Sequence, residues 1–137
     1  MNQQKYAFKN YIFDFYGTLV DIETDESSPV LWETMAQIYQ SYGAHYTGES
    51  LQVRYKELVK QAEEGIAKEK KVTYPEIDLT VIFVQLYLES HPTGASVHHL
   101  KEWGRLIART FRVLSRKRLE LYPHTKEVLE DMKVAGC

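Results

Sequence analysis

The chain has 137 residues, of which 44% are hydrophobic, and this is the size and composition of one modest domain with a single core. Its formal net charge is -2, so no basic field is present to hold nucleic acid or an anionic membrane surface. The only cysteine is Cys137, which excludes an internal disulfide, and no apolar run approaches the roughly 20 residues of a membrane span. The sequence therefore predicts a soluble cytoplasmic protein with neither nucleic acid nor membrane as a partner.

The first predicted element is a short strand at Tyr11–Phe15, which is apolar at consecutive positions apart from Asp14. Such a run is typical of a strand that is covered on both faces in a parallel sheet. An acidic stretch, residues 21–27, follows it and is predicted to be a hinge. No other stretch of the chain carries a strong strand pattern.

Four helices are predicted next, and together they would form a bundle over residues 28–118. Their predicted N-caps are Ser28, Thr47 or Ser50, Asp78 and Ser96. Apolar residues recur at helical spacing along each helix, which predicts one buried stripe per helix. The predicted inner faces include Leu31, Met35, Ile38, Tyr39, Tyr42, Leu51, Tyr55, Leu58, Val59, Ala62, Ile66, Leu79, Ile82, Phe83, Leu86, Tyr87, Leu100, Trp103, Ile107, Phe111 and Leu114.

An extended link, "LELYPH", then leads to a fifth predicted helix over Thr125–Ala135, stopped by Gly136. One strand with five helices is an incomplete inventory, because a lone strand cannot satisfy its own backbone hydrogen bonds. The simplest expectation is that further strands of the sheet lie beyond Cys137, with the bundle inserted after the first strand. The chain is then mostly α, with only the first strand of an α/β core present.

Two stretches carry a family resemblance. "FDFYGTLVD" resembles the first motif of the haloacid dehalogenase superfamily of hydrolases, and "LYPHTKEVLEDMKVAG" is similar to that family's return from its helical cap to its core. The resemblance implies an α/β Rossmann-like core with an inserted helical cap of the first type. The implied division is residues 1–20 as strand and catalytic loop, 21–27 as hinge, 28–118 as cap, and 119–137 as return link and crossover helix.

The resemblance assigns Asp14 as the nucleophile, which would form a covalent aspartyl ester with a small-molecule substrate. It implies that Thr18 holds the catalytic loop, and Gly17 permits a tight turn and close approach of the backbone to a ligand. The plainer alternatives are an Asp14 that caps the turn through the backbone of Gly17 or Thr18, and a Thr18 that is an ordinary turn residue.

Tyr16 leaves the reaction type open. Phosphatases of the family usually have at this position a second aspartate that protonates the leaving group, and a phenol with a pKa near 10 is a poor substitute. Dehalogenases of the family have tyrosine there, since a halide leaves without a proton. The acidic residues Asp21, Glu23, Asp25 and Glu26 would repel a 2-haloacid unless a cation intervenes.

For a phosphate monoester, the resemblance implies a possible Mg²⁺ held by the Asp14 carboxylate and the backbone carbonyl of Tyr16; for a 2-haloacid no metal is needed. The family's remaining catalytic groups have no assignable counterpart in this sequence. Two hypotheses follow: the chain is the N-terminal portion of a hydrolase and is inactive alone, or it is a non-catalytic helical module. In either case we expect self-association through residues 7–20 and the fifth helix, or poor order there.

Overall fold

The computed structural model describes residues 6–73, 75–93 and 97–137. It is a mixed α/β structure, mostly helical, with one small sheet, and none of its described helices is both long enough and apolar enough to cross a membrane. In chain order the elements are β1 (Val20–Thr24), α1 (Pro29–Ser41), α2 (Gly48–Lys70), α3 (Leu79–Glu89), α4 (Leu100–Ser115), β2 (Arg116–Leu121) and α5 (Thr125–Val134).

The chain divides into two compact units. The first, which we call the ribbon unit, combines the residues up to Asp25 with Arg116–Cys137. The second, which we call the bundle unit, is the continuous segment Glu26–Ser115 and contains α1 to α4. The bundle is therefore a single insertion between the two strands of the ribbon unit.

Three of the four bundle helices begin where the sequence predicts them, and α4 begins later, at Leu100, because the described residues 97–99 are not helical. Pro29 occupies the first turn of α1, and α2 begins with a capping box in which Thr47 and Ser50 each accept a backbone N–H from the other residue. The Asp78 carboxylate accepts the Thr80 N–H at 2.9 Å at the start of α3. The predicted cap of α4, Ser96, lies outside the described residues.

The predicted stripes form the core of the bundle. Leu86 and Ile107 are fully buried, and so are the large side chains of Trp32, Tyr39, Phe83 and Phe111. Two predicted inner residues are outside this core: Ile66 is half-buried, and Leu114 is 42% exposed. For Leu114 the reason is that Ser115, four residues after Phe111, takes the buried position in the last turn of α4.

Tyrosine hydroxyls satisfy carbonyl groups inside the bundle. The Tyr39 hydroxyl donates to the carbonyl of Phe83 at 2.7 Å, and the Tyr87 hydroxyl donates to that of Tyr42 at 2.9 Å. Burial raises the pKa of the Tyr39 phenol, so it stays a neutral donor. Each hydroxyl joins residues more than forty positions apart, so these bonds fix how the helices pack.

The prediction of a strand at Tyr11–Phe15 is wrong. These residues have no strand structure, and the Ile12 side chain is completely exposed. No described strand lies beside this segment, so its backbone has no sheet partner. The strand instead begins five residues after Phe15, at Val20.

The actual strands lie in segments predicted as hinge and as the end of the bundle. β1 pairs antiparallel with β2, with Val20 opposite Leu121 and Ile22 opposite Leu119. Apolar and charged residues alternate along β1, a pattern that suits an antiparallel pair covered on one face. Residues 21–24 are therefore mostly strand rather than hinge, and the bundle ends at Ser115 rather than at residue 118.

The fifth predicted helix is confirmed as α5. It ends at Val134, shortly before Gly136, whose φ is 82°. The described part of the ribbon unit buries few side chains, namely Val20, Thr125 and Met132. A sheet of two strands with one helix has little surface of its own to cover its apolar residues. Large apolar side chains in this unit therefore stay exposed, among them Phe8, Ile12, Phe15, Leu121 and Val134.

Candidate functional site

The motif loop is a tight turn that ends on β1. The carbonyl of Phe15 accepts the N–H groups of Leu19 at 2.9 Å and Val20 at 3.1 Å, and the Gly17 N–H donates to the Val20 carbonyl at 2.8 Å. Gly17 has a φ of 78°, a left-handed conformation that favours glycine. The positive φ of Gly17 therefore explains why this turn needs glycine.

Asp14 is exposed at the entrance to this turn. Its carboxylate accepts one hydrogen bond, from the N–H of Phe15 at 2.9 Å. In the plainer alternative, the Asp14 carboxylate would cap the turn by accepting the N–H groups of Gly17 or Thr18. Both of these N–H groups donate to backbone carbonyls instead. Asp14 therefore does not hold the turn through those two residues, and its side chain stays accessible.

Tyr16 and Thr18 flank Gly17 and are both exposed. The Tyr16 ring contacts the ring of Phe15 edge to face, with centroids 5.0 Å apart. The Thr18 N–H donates weakly to the Phe15 carbonyl at 3.4 Å, and no hydrogen bond of its hydroxyl is found within the described residues. The four predicted site residues, Asp14, Tyr16, Gly17 and Thr18, thus lie on one turn. The Thr18 hydroxyl does not stabilise this turn through a hydrogen bond to a described residue.

The residue that anchors the turn is Thr125, which the sequence analysis did not single out as a site residue. Its buried hydroxyl donates to the carbonyl of Leu19 at 3.0 Å, and the Tyr122 N–H donates to the same oxygen at 3.1 Å. The turn is thereby attached to the start of α5. The only signal in the sequence was the position of Thr125 at the first residue of a helix, which does not indicate a partner over a hundred residues away.

Three of the four acidic residues after the motif are paired with cations from β2. The Arg118 guanidinium contacts Asp21 at 2.9 Å and Glu23 at 3.3 Å, and Lys117 contacts Asp25 at 3.4 Å. These two cations lower the negative charge of the cluster, and with it the repulsion of an anionic substrate, without cancelling it.

Metal ligands are sparse near the turn. The described residues contain no group of three or more His, Cys, Asp or Glu side chains that could hold a metal ion. The oxygens that the family resemblance assigns to a metal at the turn are the Asp14 carboxylate and the Tyr16 carbonyl. Magnesium often takes only one or two protein carboxylates and completes its octahedron with water and substrate phosphate, so this pair is a minimal but chemically suitable donor set.

A cavity lies elsewhere, in the bundle unit. It measures about 570 Å³ and is lined by residues at the starts of α1 and α2, namely Pro29, Trp32, Glu33, Thr47, Gly48, Glu49 and Gln52. Its volume is in the usual range for small ligands. However, the ionisable groups in this lining, Glu33 and Glu49, are both acidic, which does not suit an anionic substrate. None of the predicted site residues lines it.

Comparison with protein-family models, with curated proteins and with solved structures found no match.

Proposed function

We propose that this chain carries the nucleophile loop and the helical cap of a haloacid dehalogenase-like hydrolase. Its substrate would be a small phosphate monoester or a 2-haloacid. The observation that carries the proposal is the accessible Asp14 carboxylate at a glycine turn that leads into a strand, with a four-helix segment inserted directly after that strand. The motif resemblance and the inserted bundle are independent features, and both fit this class of enzyme.

In the proposed reaction, an oxygen of Asp14 attacks the substrate and forms an aspartyl ester, which water then hydrolyses. Asp14 suits this role because its carboxylate is exposed and, among the described residues, accepts a single hydrogen bond, from the N–H of Phe15. For a 2-haloacid the leaving halide takes the bonding electrons and needs no proton. For a phosphate ester the leaving oxygen needs an acid, which Tyr16 supplies poorly.

A bound Mg²⁺, in the phosphatase version of the proposal, would offset negative charge on the substrate. Asp14 and the carbonyl of Tyr16 would be its protein ligands. Asp14 and Tyr16 are two positions apart in the sequence, and Gly17 allows the chain to reverse immediately afterwards.

The second candidate is a non-catalytic helical module. It is favoured by two observations on the described residues: Asp14 makes no ion pair with a cation, and the ribbon unit buries only Val20, Thr125 and Met132. Electrostatic stabilisation usually dominates displacements of this kind, so Asp14 alone is a weak catalyst. We therefore expect the isolated 137-residue chain to be inactive.

A substrate panel tests both candidates. The protein is isolated from its natural host through an N-terminal tag, which retains any polypeptide that follows these 137 residues. The mass of the isolated protein is then measured. The protein is next assayed with phosphate monoesters and with 2-haloacids, each with and without magnesium, beside Asp14→Asn. We expect hydrolysis by the natural protein that Asp14→Asn abolishes, and none by the isolated chain.

Phosphate release that depends on magnesium would assign the phosphatase version, and halide release without magnesium the dehalogenase version. No turnover by the natural protein on either class would favour the non-catalytic module. Equal turnover by the Asn variant would remove Asp14 from the proposed role.

A further inference from the structure

The ribbon formed by β1 and β2 has two free edges. Among the described residues the sheet contains these two strands alone, and every residue of β2 is exposed. For residues 117–121 no backbone hydrogen bond is found within the described residues other than those to β1. An unpaired strand edge offers a row of N–H and C=O groups to another strand.

The ribbon also has two chemically different faces. Directly opposite residues in an antiparallel pair lie on the same face, so Val20, Ile22, Leu119 and Leu121 share one face. Asp21, Glu23, Arg118 and Glu120 share the other. On the apolar face Leu119 is 40% exposed and Leu121 is 58% exposed, so this face is incompletely covered.

We propose that a second copy of this chain pairs antiparallel with the free edge of β2, with Leu119 opposite Leu119 of the other copy. The two ribbons would then form one four-stranded sheet in the order β1, β2, β2, β1. Its two-fold axis would pass between the two Leu119 residues, as in the isologous interfaces of most dimers. This proposal does not depend on the proposed function.

Charge complementarity selects this register. With Leu119 at the centre, Arg118 of each copy lies opposite Glu120 of the other, which gives two cross-strand ion pairs on the charged face. Centring the pair on Arg118 or on Glu120 would place two like charges directly opposite each other.

The same reasoning excludes the free edge of β1. A pair centred on Ile22 would place Asp21 opposite Glu23 twice, and a pair centred on either acidic residue would place that residue opposite itself. The register shift between Glu23 and Thr24 leaves Lys117 of β2 without a partner in β1, so this irregularity lies at the start of β2 and does not count against the edge of β1. The charges therefore direct association to β2.

The small size of the sheet explains why a second copy would stabilise it. An isolated two-stranded ribbon is marginal in water, whereas three or more strands with a hydrophobic face can be stable. Pairing through β2 doubles the number of strands and satisfies the free N–H and C=O groups of that edge. A second copy of the chain supplies both a matching strand and the complementary charges.

The test is the solution mass of the full chain, by light scattering and sedimentation velocity from micromolar to millimolar concentration. We expect a reversible species at twice the chain mass of 16.0 kDa. Glu120→Lys should weaken the dimer by about 10-fold or more, because it places a lysine opposite Arg118 of the other copy. Within one chain the same lysine lies opposite Asp21, which favours the ribbon, so lost association cannot be attributed to unfolding.

The matched control is Glu64→Lys, which makes the same change of charge at an exposed position of α2 and should leave the dimer unchanged. A second measurement places a cysteine at the two-fold axis, as Leu119→Cys in a Cys137→Ser background, and should give a disulfide-linked dimer on mild oxidation. A chain that remains monomeric at all concentrations would overturn the proposal. Association that Glu120→Lys leaves intact would overturn it as well.

Discussion

Asp14 and Thr125 show at the scale of single residues how a short motif and a distant side chain build one turn. Asp14 presents its carboxylate, and Thr125 fixes the carbonyl of Leu19 at the other end of the turn. The motif could be recognised from the sequence because its residues are adjacent. The anchor could not be, because a threonine at the start of a helix has many possible partners and only the folded ribbon unit brings Leu19 to it.

Thr125→Val tests the anchor. Valine keeps the shape of the side chain and removes the donor, leaving the Leu19 carbonyl with the Tyr122 N–H alone. We expect a local loss of about 1 kcal/mol, or roughly 5-fold faster hydrogen exchange at the amides of the turn. Thr110→Val is the control, since its hydroxyl bonds the Leu106 carbonyl within α4. Unchanged exchange in Thr125→Val would mean that the hydroxyl does not hold the turn.

At the scale of elements, the helices were predictable and the strands were not. Periodicity and caps place helices correctly because each depends on residues a few positions apart, as with the capping box at Thr47 and the cap at Asp78. A strand depends on its neighbour, and here the neighbour of β1 is almost a hundred residues away. Tyr11–Phe15 has the composition of a buried strand but has no partner, whereas the less apolar Val20–Thr24 pairs with β2.

Two glycines in the bundle should respond oppositely to alanine. At Gly43 the φ is 86°, and a Cβ would collide with the backbone carbonyl of Thr93. Gly65 lies in α2 with open space around it. We expect Gly43→Ala to destabilise the bundle by more than about 2 kcal/mol through strain and the collision. Gly65→Ala should stabilise it by about 1 kcal/mol, and urea unfolding followed by circular dichroism measures both. Equal effects would contradict the packing at Gly43.

The ion pair between α2 and α3 should make bundle stability depend on acid. The Arg54 guanidinium, which bonds both carboxylate oxygens of Glu89 at 2.8 and 2.9 Å, lowers the pKa of Glu89 from 4.5 to about 2. A lowered pKa means that the folded state binds this proton less readily than the unfolded state. The contribution of the Arg54–Glu89 ion pair to the free energy of unfolding is therefore complete above pH 4.5 and is lost as the pH falls through about 2.

Glu89→Gln should accordingly lower the Tm at neutral pH, and the difference from the native chain should shrink below pH 4.5 and vanish near pH 2. The effect is small because the pair is partly exposed and screened by salt. Glu69→Gln, at an exposed position near the end of α2, is the control and should leave the Tm unchanged. A difference that is constant across this pH range would show that Glu89 acts through packing rather than charge.

At the scale of the whole molecule, the two units differ in how completely each buries its apolar residues. The bundle unit has a continuous core of aromatic and aliphatic side chains, whereas the described ribbon unit leaves most of its apolar residues exposed. The sequence indicated this contrast through four complete helical stripes beside one isolated apolar run. It could not indicate the antiparallel ribbon, because alternation in a five-residue segment is too short to be distinguished from an acidic loop.

The central claim is that Asp14 is the nucleophile of a hydrolase, and an acid-quenched single turnover measures it most directly. The natural protein is mixed with a substrate from the panel, quenched within one turnover and digested, and the mass of the peptide that contains Asp14 is determined. The account predicts a covalent adduct on Asp14 that is absent in Asp14→Asn. An adduct on another residue, or turnover with no adduct at all, would contradict it.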